Sequence, residues 1–258
     1  MKIATWNVNS IRVRLNHVKE FINRKEPDVL LLQELKAQNH DIPKNELEDL
    51  GFNLIFKGQK SYNGVAILSK YPISDVKDNL YDNVEEEQSR YIECWIDSNP
   101  NGIRIASIYL PNGNPINSDK FKYKIEWMDK LINRAKQLLS FEETTILGGD
   151  FNVCPDDTDA SNPEAMINDA LFQPESRSKF REILNLGYFD AWNTINDNPE
   201  WTYWDYGRAF EQNKGLRIDH FLLSPNALDK LESIEIEKYF RALEKPSDHA
   251  PVIINISN

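Results

Sequence analysis

Five apolar runs in this sequence each end or begin on a side chain able to hold a cation or a phosphate. IATWN delivers Asn7, VLLLQE delivers Glu34, TTILGGDFN delivers Asp150 and Asn152, LRID delivers Asp219, and Asp248-His249 stands just before the run Pro251–Ile256. Carboxylate and amide oxygens suit a hard divalent ion such as Mg²⁺ or Mn²⁺, which takes one or two carboxylates and fills its shell with water and substrate phosphate oxygens. The four histidines, His17, His40, His220 and His249, are too dispersed for a local zinc motif, and Cys94 and Cys154 have no ligand spacing. A carboxylate cluster holding one hard metal has a natural substrate in a phosphate ester. A carboxylate near His249 favours its imidazolium, which would stabilise a phosphate oxygen in a pentavalent transition state.

These side chains need elements that bring them to one place. Strands are expected at 2–8, 28–33, 52–57, 64–69, 91–96, 103–109 and 144–147, with the last breaking at Gly148-Gly149. A short aromatic strand, Trp201–Tyr206, and strands at 216–224, 234–239 and 251–256 follow. Tyr91–Ile96 and Ile103–Tyr109 are joined by DSNPNG, a hairpin signal. Ile11, Leu15, Val18, Phe21 and Ile22 have helical spacing from about Ser10 to Arg24, with Pro27 just beyond. A short helix over 43–50 stops at Gly51. Ser118 opens a long helix with Phe121, Ile125, Met128, Ile132, Ala135 and Leu139 as its apolar stripe, and 174–186 is a helix closed by Gly187. The stretch 75–89 reads as acidic and irregular, 155–173 as a polar, Asp-rich loop, 188–198 as connecting chain with buried aromatics, and 207–215 as a mobile loop. Strands outnumber helices and occur both as hairpins and in strand–helix alternation, so the expected class is α/β (α+β): mixed sheets with helices outside, in one domain.

The composition sets bounds. With 258 residues, 40% of them hydrophobic, the chain can bury a substantial core. No run approaches ~18 apolar residues, so no membrane span is expected, and MKIATWNVNS reads as a first strand and not a secretory signal. A cytoplasmic monomer is the expectation. A net charge of -11 argues against a coat protein for nucleic acid, although a cation-holding acidic cluster adds to the negative total.

Together the motifs resemble the exonuclease III family of DNA-repair nucleases, within the DNase I-like endonuclease/exonuclease/phosphatase superfamily. The resemblance runs from WNVNSIR through PDVLLLQELK, YNGVAIL, YLPNG, LGGDFNV, WDYG and GLRIDHFLLS to SDHAPV. It implies a four-layer α/β sandwich with two mixed β-sheets face to face, flanked by helices. It implies Mg²⁺-dependent cleavage of duplex DNA beside abasic sites and removal of nucleotides or blocking groups from 3′ ends. Carried over, Glu34 is the principal metal ligand with Asn7 beside it, and Asp248 is a supporting or second-metal acid. Asp150 activates the attacking water, Asn152 holds phosphate or nucleophile, Tyr109 contacts the scissile phosphate, and Asp219 pairs with the phosphate-binding His249. Trp204 lines the abasic-sugar pocket. Arg90, Lys36, Asn63, Asn112 and Asn9 border the DNA. The chain departs from the family where an arginine follows WDY: here Gly207 precedes Arg208. Rival expectations are a phosphoesterase for small phosphate esters, a DNase indifferent to damage, and a non-catalytic relative. The last would have lost one of Glu34, Asp150 or His249, and all three are present.

Overall fold

The computed structural model describes residues 1–80, 88–98 and 101–257. Its strands are β1 (Lys2–Asn7), β2 (Val29–Gln33), β3 (Asn53–Lys57), β4 (Val65–Ser69), β5 (Ile73–Lys77), β6 (Tyr91–Ile96), β7 (Ile103–Tyr109), β8 (Thr145–Asp150), β9 (Phe189–Asp190), β10 (Asp219–Leu223), β11 (Leu231–Ile236) and β12 (Val252–Ile256). The helices are α1 (Ile11–Lys25), α2 (Lys44–Glu48), α3 (Asp119–Leu139), α4 (Pro174–Asn185), α5 (Ala191–Ile195) and α6 (Pro225–Leu228). The strands form two six-stranded mixed sheets, ordered β11-β12-β1-β2-β4-β3 and β5-β6-β7-β8-β10-β9. Among the described residues no helix is long and apolar enough to cross a membrane.

Apolar residues on both faces of each sheet create the layers. Ile3, Val29, Leu31 and Ile67 of one sheet meet Cys94, Ile105, Ile146 and Phe221 of the other. The alternate positions Ala4, Trp6, Leu30 and Leu32 face outward against α1, where Trp6, Phe21 and Phe240 pack ring to ring. Ala106, Ile108, Leu147 and Leu222 do the same under α3 and α4. Strands buried on both faces read as continuous apolar runs, which is why most were legible.

Several expectations need correction. β8 does not break at its glycines but runs through both to Asp150. A Cβ on Gly148 would lie 2.6 Å from the Phe221 ring and 2.7 Å from Leu31 Cδ1, and one on Gly149 would lie 2.0 Å from Ile108 O. The glycines therefore let the sheets close and are not punctuation. Trp201–Tyr206 is not a strand; Tyr203 alone makes isolated bridges, to Leu216 and His249. Ile73–Lys77, inside and before the stretch read as irregular, pairs with β6, while 81–87 of that stretch and 99–100 of the hairpin connection lie outside the described residues. The 188–198 segment contains β9 and α5. The buried face of α3 is Lys124, Trp127, Met128, Leu131, Ile132, Arg134, Ala135 and Leu138, rotated from the expected stripe. Two charged residues sit on that face because acceptors wait there: Glu93 for Arg134, and two loop carbonyls for Lys124.

Candidate active site

The topology gathers the polar strand ends. β1 and β2 are parallel, so Asn7 and the residue after Gln33 emerge together. β7 and β8 are parallel, so Tyr109 and Asp150 are register partners. β10 runs antiparallel to β8, so Asp219 opens its strand, and does not close one as LRID suggested, directly across from Asp150. β12 runs antiparallel to β1, so His249, just before it, reaches the same end. Hydrogen bonds then cross from sheet to sheet. The Asn7 amide donates to Glu34 Oε1 (3.0 Å) and Asp150 Oδ2 (2.9 Å), and Tyr109 donates to Glu34 Oε1 (2.8 Å).

His249 is buried with Nδ1 at 2.8 Å from Asp219 Oδ2 and Nε2 at 3.7 Å from Asp150 Oδ2. Burial lowers its pKa, but the Asp219 and Asp150 charges outweigh burial and raise it to about 10, so the ring is an imidazolium at neutral pH. Burial raises Asp150 to about 7, with His249 opposing and Asp219 assisting. Trp6 Nε1 holds the His249 carbonyl at 3.1 Å, and Ser247 Oγ donates to Asn7 O at 2.6 Å, fixing the approach to β12.

Glu34 has φ +52°, in the left-handed region, which turns its carboxylate inward. Burial works against its ionised form, but Lys36, Asn7 and Tyr109 together bring its pKa below the ordinary value. Lys36 Nζ lies 2.8 Å from Glu34 Oε2 and donates to Asn9 Oδ1 at 2.6 Å. Asn9 Nδ2 in turn donates to Asp248 Oδ1 (3.0 Å) and to the Tyr206 hydroxyl (2.8 Å). Lys36 and Asn9, expected on the DNA border, thus have their polar atoms engaged within the site. Asn152, at φ +47°, donates its N–H to Asp150 Oδ1 (2.9 Å) and its amide to Leu110 O (2.9 Å), and accepts from Asn112 (3.2 Å).

A cavity of about 310 Å³ opens on Glu34, Tyr109, Asp150, Asn152, Asp248 and His249. The rest of its lining is Asn112, Asn114, Asp169 and Asp205 together with the apolar group Met166, Leu171, Tyr203, Leu216 and Ile218. Trp204 is not there. It is fully buried, edge-on to Phe210 at 5.1 Å, so a direct role in lining the pocket is corrected. Tyr203 takes the place, its ring 5.0 Å from His249. Alternation explains the exchange: the Thr202 hydroxyl accepts inward from the Ile218 and Asp219 N–H groups, so 202 and 204 face the core and 203 faces out. The same alternation in LRI places Leu216 and Ile218 on the wall, a pattern visible in the sequence. A second cleft, about 510 Å³, adjoins the first through Asn112 and Asn114 and is lined by Asn63, Tyr62, Arg90 and Lys120. Arg90 lies 4.8 Å over the Tyr109 ring and donates to Tyr109 O at 3.2 Å.

The carboxylate, amide and hydroxyl oxygens around the pocket suit a hard divalent cation: the Lys36 ammonium already sits against the outer oxygen of Glu34, and Asp219 Oδ1 is buried with no hydrogen-bond partner among the described residues. Asp150, Asp219 and His249 also come within 4.8 Å of one another, but His249 is protonated there and its proton does a cation's work between the two acids. Glu34, with its inner oxygen on Asn7 and Tyr109, is a carboxylate that could anchor a divalent cation. Asn7 stands in a different role from the expected ligand: its oxygen accepts from Asn9 N–H (3.0 Å), and its nitrogen faces the carboxylates it ties together.

Comparison with known proteins agrees with this geometry. Exodeoxyribonuclease III of Haemophilus influenzae is 29% identical over 98% of both chains. A 3′ phosphatase from Neisseria, NExo, solved with a product DNA hairpin, is 36% identical over the full length of both chains with a TM-score of 0.96. An AP endonuclease from Archaeoglobus fulgidus is 32% identical, again over both full lengths, with a TM-score of 0.94. The model of the endonuclease/exonuclease/phosphatase family matches residues 4–249, from Ala4 in β1 to His249, and the chain belongs to that family.

Proposed function

We propose that this chain is a Mg²⁺-dependent DNA-repair nuclease. It hydrolyses the phosphodiester 5′ of abasic sites and removes nucleotides or blocking groups from 3′ ends of duplex DNA. The observation that carries the reading is the Glu34–Asn7–Asp150 bridge between the two sheets, set against an imidazolium paired with Asp219. The names of the relatives, an exodeoxyribonuclease, a 3′ phosphatase and an AP endonuclease, support the substrate class. The domain spans 1–258 and acts as a cytoplasmic monomer; its two buried, unpaired thiols, Cys94 and Cys154, suit a reducing compartment.

Glu34, with Asp248 nearby, would hold the cation, which supplies Lewis-acid stabilisation of charge on the phosphoryl and leaving 3′ oxygens. Asp150 takes a proton from the attacking water; a carboxylate raised to about 7 is well matched to that task. His249 and Tyr109 face the developing charge on the phosphoryl oxygens. Asn7 keeps Asp150 and Glu34 in fixed relation. The wall of Met166, Leu171, Tyr203, Leu216 and Ile218 offers an apolar seat for a sugar without a base, the nucleotide that is cheapest to turn out of a duplex. Arg90, with Lys120 and Asn63 in the adjoining cleft, gives the continuing strand a cationic path.

The test is cleavage of an end-labelled duplex carrying one abasic-site analogue, beside an intact duplex with a recessed 3′ end, each with Mg²⁺ or EDTA. Metal-dependent incision 5′ of the analogue is the expected result, with shortening of the recessed strand giving the exonuclease share. No cleavage of either duplex, with hydrolysis of a small phosphodiester instead, overturns the DNA reading.

A further inference from the structure

Lys124 is fully buried on the inner face of α3. Its side-chain nitrogen donates to two main-chain carbonyls, Asn152 O at 2.6 Å and Asn112 O at 3.0 Å. One carbonyl belongs to the loop after β8 and the other to the loop after β7. A buried amine is costly unless its hydrogen bonds are made, and an apolar side chain would fill the volume without that cost. Burial pushes the amine down to about 7, against the opposing charges of Asp169 and Asp150. The surroundings are shaped to it. Gly113 has φ +90°, and a Cβ there would lie 2.6 Å from Lys124 Cδ.

The Asn152 carbonyl is the relevant end of this contact. Asn152 sits in the left-handed region, a conformation asparagine tolerates better than most residues but which still needs support. With its carbonyl held from below, its N–H points at Asp150 Oδ1 and its side chain reaches Leu110 O. We propose that Lys124 is a positioning residue for hydrolysis: it holds the Asn152 turn that aims a backbone N–H at Asp150 and locks this turn to the Asn112 loop. The proposal rests on the reading of Asp150 as the base for phosphodiester hydrolysis.

The experiment compares the parent with Lys124→Met, which keeps volume and removes the donors. Steady-state kcat and KM are measured on the abasic duplex and, as a second substrate, on bis(p-nitrophenyl) phosphate, with thermal melts alongside. At a temperature where both proteins are folded, kcat should fall about 10²-fold on both substrates, the scale of a small misplacement of a reacting group, with KM for the duplex unchanged. An unchanged kcat, with only a lowered Tm, overturns the proposal and leaves the lysine a packing residue. Should Lys124→Met fail to fold, Lys124→Gln decides, because its amide keeps the polarity but is too short to hold both carbonyls: a lowered kcat with KM unchanged supports the proposal and an unchanged kcat overturns it. A parent that hydrolyses the small ester but cuts no duplex removes the DNA reading, and the kcat comparison on the ester still decides on Lys124. A parent inert on both overturns the two together.

Discussion

Positions 217 to 220 feed two buried polar networks that use the same side-chain types to different ends. Arg217 and His220 belong to one. Arg217 donates to Asp159 Oδ1 at 2.6 Å and Asp190 Oδ2 at 2.8 Å, and His220 completes it, with Nδ1 at 3.4 Å from Asp190 and Nε2 at 3.0 Å from Val153 O. Burial disfavours the Asp190 charge, yet Arg217 and His220 outweigh it and hold the carboxyl well below its usual range. Asp219 belongs to the other network. There the four acids Glu34, Asp150, Asp219 and Asp248 have direct ion-pair contacts, among the described residues, only from Lys36 on Glu34 and from His249 on Asp150 and Asp219; Asp150 is pushed up, and Asp219 Oδ1 has no hydrogen-bond partner. The first network is closed and ties the 155–173 loop to the core. The second is short of positive charge and opens on a cavity. A network complete in itself is structural, whereas one left incomplete awaits what a ligand brings.

The sharpest way to break this contrast is to exchange the expected costs. Asp150→Asn should lower the single-turnover cleavage rate by ~10²–10⁴-fold while the melting temperature stays level or rises, because one carboxylate leaves a crowded set. Cleavage at the parental rate would remove Asp150 from the chemistry. Arg217→Met should do the reverse. It leaves Asp159 and Asp190 buried without their cation, at a cost of about 3–5 kcal/mol in urea unfolding, while the molecules that remain folded keep their kcat. Parental stability would mean that the closed network ties nothing.

The two networks should also separate by pH. His249 has its folded-state pKa raised, so its contribution is full below its ordinary 6.5 and is lost as pH rises through about 10. Asp190 has its pKa depressed, so its contribution is present above the ordinary 3.8 and is lost on acidification below that value. Thermal melts of His249→Asn should therefore converge on the parent only at alkaline pH, and those of Asp190→Asn only in acid. Convergence at the opposite ends would reverse the assignment of charge. Cleavage itself should decline at alkaline pH as the imidazolium is lost. The smallest effect is expected from Tyr203→Phe. It removes the hydroxyl that bonds Asp205 but keeps the ring against His249, so it should cost no more than about 1 kcal/mol and leave KM for the abasic duplex alone. A raised KM would move the hydroxyl into substrate contact.

Much of this molecule could be read before folding. Strands buried on both faces are continuous apolar runs, and the acids and amides at their ends stand out because such groups do not belong in a core without a reason. Asn7, Glu34, Tyr109, Asp150, Asn152, Asp219, Asp248 and His249 are brought to one end of the two sheets for that reason. What could not be read is settled by tertiary partners. Gly148-Gly149 looks like a break until Phe221, Leu31 and Ile108 occupy the space around it. Trp204 looks like the exposed aromatic until the Thr202 bonds fix which way the chain alternates. Nothing in the sequence around Lys124 marks it for burial; two carbonyls from distant loops that converge on it do. Asn7 has the right type for a ligand, but the Asn9 backbone decides which end of its amide faces the acids.

The bond from Trp6 to the His249 carbonyl spans 243 residues, and β1 lies between β2 and the late strand β12. The ribosome makes Asn7 early and His249 late, so the polar cluster at the sheet ends is complete only when nearly the whole chain has been made. The first strand meanwhile waits with one edge open. Synthesis order therefore differs from assembly order: the side chains that β1 and β2 bring to the pocket are made first, and the strand that carries His249 into place between β11 and β1 is made last.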